Sequence, residues 1–177
     1  GGQESTYSVN ASHGARVEDF DYYFGATVRG SEGHRPNADG QLRNFWGRAG
    51  YHFSERWDAS VILSGSDNWA DDPGPVGGSV PTRGRFNTED FTVNATLTNQ
   101  GERSNGFIKF YADDGNIDWE QWSDATDNWF NTNTDWLNRG LRAQQSFLLG
   151  EATELTAGFD YDQYGGEVYE EHADPAN

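Results

Sequence analysis

Apolar and polar side chains alternate with a period of two along most of this chain, the signature of strands with two unlike faces. In Asp19–Arg29 the apolar set is Phe20, Tyr22, Phe24, Ala26 and Val28, with Asp19, Asp21, Thr27 and Arg29 opposite. Asp90–Thr98 is the cleanest case, with Phe91, Val93, Ala95 and Leu97 set against Asp90, Thr92, Asn94, Thr96 and Thr98. Tyr7–Ser12, Leu42–Phe53, Trp57–Ser66, Gly106–Ala112, Leu141–Leu149 and Glu154–Tyr164 complete eight expected strands. Several reach ~9–11 residues, enough to cross a bilayer at a tilt of about 45°. Strands of soluble proteins average only ~5–6. No segment sustains a 3.6-residue period, and a helix is plausible only around Asp124–Leu137.

The connections alternate in length. Ser54–Arg56 and Gly150–Thr153 are tight, and His13–Glu18 and Asn99–Asn105 are modest. Between them come longer links at Ser31–Gln41, Asp67–Gly84 and Asp113–Asn138. Outer-membrane barrels show this asymmetry, with short periplasmic turns and long extracellular loops. The pattern predicts an all-β, antiparallel, up-and-down transmembrane barrel wall spanning residues 1–177. With the short turns periplasmic, both chain ends fall on the extracellular side. Barrels of this kind normally start and end in the periplasm, so the expectation is a fragment of a larger barrel.

Composition sharpens the choice of environment. Only 34% of residues are apolar while 15% are aromatic, including seven Trp. Disordered chains are poor in aromatics, whereas barrel walls combine a polar lumen with aromatic girdles. The formal charge of −17 argues against nucleic acid, since phosphate binding needs Lys and Arg. There is no Cys, hence no disulfide framework or thiolate site. No run of ~18 apolar residues offers a transmembrane helix. No Gly-x-Ser-x-Gly elbow, Walker loop or dinucleotide fingerprint occurs, and the expectation is a protein that is not an enzyme.

The stretch Gly30-Ser-Glu-Gly-His-Arg-Pro-Asn37 enters the first long link straight after a strand. Gly50-Tyr-His-Phe-Ser-Glu-Arg-Trp57 reads as strand, tight turn and strand. Ser66-Asp-Asn-Trp-Ala-Asp-Asp-Pro-Gly-Pro75 opens the second long link, and Ala157-Gly-Phe-Asp-Tyr-Asp-Gln-Tyr-Gly-Gly166 closes the last strand. Together these resemble the barrels of TonB-dependent receptors of the cobalamin and siderophore type, across nearly the whole chain. The resemblance implies a barrel of 22 strands and a plug. It also implies energised import of a ferric siderophore or corrinoid through TonB. The location would be the bacterial outer membrane, with its lipid and lipopolysaccharide as neighbours.

On that reading the capture region is Gly33–Gln41, Asp67–Arg83 and Asp113–Asn138, with His34, Arg35, Trp69, Trp119, Trp122, Trp129 and Trp136 as candidate ligand contacts. Aromatic faces among carboxylates suit a cationic or glycan-like ligand through stacking and cation–π contact. The plainer reading places these Trp in the outer aromatic girdle. No cofactor is required. Calcium is one candidate, held by Asp67, Asp71, Asp72, Asp113, Asp114 and Asp118, because hard cations take ~6–8 oxygen ligands. The plainer reading of those acids is simple solvation. A complete eight-stranded barrel and a soluble carbohydrate-binding sandwich are the alternatives, and the sandwich requires the aromatic faces to pack on one another.

Overall fold

The alternation becomes eight strands in a computed structural model that describes residues 5–74, 83–123 and 128–172. They are β1 (Thr6–Val17), β2 (Phe20–Ser31), β3 (Gly40–Ser54), β4 (Trp57–Asp71), β5 (Arg83–Gln100), β6 (Ser104–Ser123), β7 (Asn128–Leu148) and β8 (Glu154–His172). Every strand pairs antiparallel with its sequence neighbour, giving one up-and-down sheet in the order β1 to β8. The sheet is open, and β1 and β8 form its edges. No helix forms among the described residues. Asn128–Leu137 is strand instead, and residues 124–127 lie outside the described residues.

Most strands outrun the stretch in which hydropathy alternates. β6 continues to Ser123 and β7 begins at Asn128, so most of the third long link is paired strand rather than loop. His13 lies within β1, because that strand runs on to Val17. The physical reason is that ladder hydrogen bonds continue wherever two backbones stay paired, whatever the side chains are. Alternation reports the environment of the two faces, and the environment changes before the ladder ends.

Directly opposed residues share a face, so the register sorts the whole sheet into two surfaces. One carries Phe20, Phe24, Phe45, Val61, Leu63, Val93, Leu97, Phe110, Leu141 and Phe159. The other carries Asn10, Thr27, Asn44, Ser64, Thr92 and Arg142 in the same stretch of the strands. No apolar side chain is buried among the described residues. A soluble domain of this size hides most of its unfolded-chain surface, roughly 70%. Among the described residues there is one sheet and no second layer over the apolar face.

Cross-strand aromatic–glycine pairs tie neighbouring strands together. Trp136 lies over Gly115 and Tyr111 over Gly140, each directly opposite in register. A ring laid over a glycine recovers packing that the missing side chain forfeits. The β1–β2 turn is less well fitted. Only Glu18 and Asp19 separate the strands, and Glu18 sits at φ 53°. A side chain in the left-handed region costs about 1–2 kcal/mol that glycine escapes. Glu18→Gly is expected to raise stability by a few tenths to about 1 kcal/mol, after the entropy cost of glycine. An unchanged or lower urea midpoint would count against this turn geometry.

Candidate functional site

The two faces exchange character along the strands. On the apolar face the row above Phe45 and Phe91 reads Arg43, Asp67, Glu89, Asn116, Asp135 and Glu167. Beyond it the same face carries Trp69, Asp71, Arg85, Asp118 and Glu120. The opposite face, mostly polar lower down despite Tyr23, Trp46, Ile62 and Tyr111, there gains Phe86, Ile117, Trp119, Phe130, Trp136 and Val168. Aromatic side chains therefore collect on the mostly polar face, at the end of the sheet with the longer links.

Three of them make a corner. Phe86 and Trp119 stack with centroids 5.1 Å apart and planes at 7°, and Phe130 meets Trp119 edge-on at 4.8 Å and 90°. His172 extends the group at 6.4 Å from Phe130. The Trp119 Nε1 is shielded from solvent and has no hydrogen-bond partner. Below the corner, Trp136 donates from Nε1 to Asp113 at 3.3 Å, and the Thr92 hydroxyl donates to the other Asp113 oxygen at 2.8 Å. A flat ring or sugar face fits such a surface, and the nearby Glu170 opposes anions.

The candidate contacts divide between the faces. Trp119 and Trp136 stand on the aromatic corner's side. Trp122 and Trp129 oppose each other on the apolar-band face, where an outer girdle would lie, and Trp129 donates to Glu120 at 3.2 Å. Trp69 is on that face too, with the Arg85 guanidinium 4.4 Å above its ring. Arg85 also donates to Asp71 at 2.7 Å. That bond raises the Arg85 pKa, partial desolvation works against it, and the guanidinium stays charged beyond the apolar band. His34 is exposed in the β2–β3 link. Arg35 reaches across to the Gly74 carbonyl at 2.6 Å and joins the first two long links.

The six candidate calcium ligands are not drawn into one cage. Asp67 is engaged by Arg43, Asp71 by Arg85, and Asp113 faces away from Asp114 and Asp118. Asp72 accepts the Gly74 N–H. No group of three or more His, Cys, Asp or Glu suited to a metal occurs among the described residues.

No protein family, curated protein or solved structure matches this chain. The geometry alone therefore carries the functional reading. Sequence reasoning missed Phe86, Phe130 and His172. The usable signal was parity: counted upward from Thr92, Phe86 falls on the polar face, where a phenyl ring is out of place.

Proposed function

We propose that this chain is wall and ligand-facing rim of a bacterial outer-membrane β-barrel of the TonB-dependent receptor kind. The observation that carries the reading is a slant in the apolar band. Its upper edge stands at Tyr7 on β1 and at Tyr161 on β8. Followed along the rows, these meet β3 at Gln41 and Ala49, eight residues apart across seven strand-to-strand steps. A descent of about one residue per strand, at ~3.4 Å rise and ~4.8 Å spacing, is what a level slab makes on strands tilted by about 40°. Barrel strands in outer membranes tilt ~35–45°.

Bare backbone in hydrocarbon costs several kcal/mol per group, so in the membrane the edges of β1 and β8 would pair, with further strands of a longer wall or with each other. The acid-rich row above the band would face lipopolysaccharide and its bridging cations. The aromatic corner would face the lumen entrance, where the surrounding carboxylates favour a neutral or cationic ligand, such as a corrinoid, over an anionic siderophore complex. Uptake itself would depend on a plug and TonB.

The absence of Cys makes the test clean. Single Cys residues placed at 60 through 64 in β4 carry spin labels in vesicles. Labels at Val61 and Leu63 are expected to be relaxed by oxygen, and those at Ser60, Ile62 and Ser64 by a water-soluble nickel chelate. Uniform access of nickel along the strand would sink the proposal.

A further inference from the structure

A second depression lies on the polar face between β1, β2 and β3, away from the aromatic corner, with a volume of about 240 Å³. Two register rows build it. Asn10, Thr27 and Asn44 form the upper row; Ser12, Gly25 and Trp46 form the lower. Gly25 is the floor, and a Cβ placed there would meet the Trp46 Nε1 only at 3.6 Å, so the indole edge leans over the gap. Tyr23 closes the lower side, its ring 4.8 Å from the Trp46 ring and inclined at 31°. The Thr27 hydroxyl donates to Asn10 Oδ1 at 2.8 Å, which fixes the upper rim.

We infer that this depression binds one neutral hexopyranose ring. No charged side chain lines it, in a chain of net charge −17, so it selects for neither anions nor cations. The volume falls below the ~300–1,000 Å³ typical of drug-sized ligands, which excludes a macrocycle and suits a single ring. Tyr23 and Trp46 are 41% and 47% exposed. Two such rings side by side on a polar face offer an apolar platform for the C–H face of a sugar. The Asn44 amide, the Ser12 hydroxyl and the Trp46 N–H supply donors and acceptors for its hydroxyls, beside Asn10, which is held by Thr27 and Ser8. A wholly apolar guest would strand those groups without partners, at a cost of about 1–3 kcal/mol each. The site holds whether the polar face lines a lumen or meets open solvent, so its failure leaves the lipid-facing proposal untouched.

The test is saturation-transfer NMR on the folded chain with methyl hexopyranosides, and with glucuronate, glucosamine, sorbitol and indole for comparison. Transfer to at least one neutral pyranoside, and none to sorbitol or indole, is the expected result. Gly25→Val fills the floor with a residue that favours strands and should abolish the signal with the circular dichroism unchanged. If that variant misfolds, Asn44→Ala decides instead, through weakening by about tenfold, the equivalent of one ~1.4 kcal/mol contact. Silence from every neutral pyranoside overturns the inference. So does a pyranoside signal that survives Gly25→Val or Asn44→Ala undiminished, or a preference for indole or for either charged sugar.

Discussion

Val61→Arg is expected, on the proposed reading, to destabilise the protein in phospholipid vesicles by about 2–4 kcal/mol, the cost of an arginine near the bilayer midplane on the lipid side of a barrel. Val61 stands in the middle of the apolar band, flanked across the strands by Ala49 and Ala95. Neither neighbour offers a partner for a guanidinium. Ser60→Arg, one residue away, turns the same charge to the polar face, between Gly50 and Thr96, and should change stability by less than about 0.5 kcal/mol, as surface substitutions do. Urea unfolding from phospholipid vesicles measures both. Equal effects at the two positions would mean that neither face meets hydrocarbon.

The other large effect lies in the glycine–aromatic pairing. A Cβ at Gly115 would sit 2.2 Å from the Trp136 ring and 2.6 Å from the Glu89 carbonyl oxygen. The ring can move only by giving up its bond to Asp113, and the carbonyl belongs to the neighbouring strand. Gly115→Val should therefore cost about 1–3 kcal/mol, the usual range for forced overpacking. Gly165→Ala in β8 is the matched control, since its Cβ would meet nothing closer than the Leu137 carbonyl at 4.0 Å. That change should be neutral or mildly stabilising. A Gly115 variant as stable as the Gly165 one would show that Trp136 is not held over its glycine.

The eight strands and their antiparallel order were legible because side-chain period reports the two faces directly. Phe91, Val93, Ala95 and Leu97 against Thr92, Asn94 and Thr96 leave one assignment open, and β5 takes it. What escaped was the upper third of the sheet. Around Asp113–Trp122 the acids and rings occur on both faces, so alternation of hydropathy fails although β6 continues unbroken. A stretch rich in Asp, Asn and Trp then looks like a loop. The candidate site was half visible for the same reason. Trp119 and Trp136 stood out as tryptophans, but their side of the sheet follows only from a register that carries past Asp113. Arg43 and Arg85 illustrate the reverse case. Their charge suggests the polar face, yet both fall on the apolar-band face above its edge, paired with Asp67 and Asp71.

β1 and β8 each present a full line of main-chain donors and acceptors along one margin, over 12 and 19 residues. Neither margin carries proline or lysine, but β8 carries six carboxylates that oppose the pairing of one β8 with another, whereas β1 carries only Arg16. In water the sparsely charged β1 margin is therefore the more exposed of the two to stray strand addition. On the proposed membrane reading, that margin would need cover until it found its neighbour in the wall.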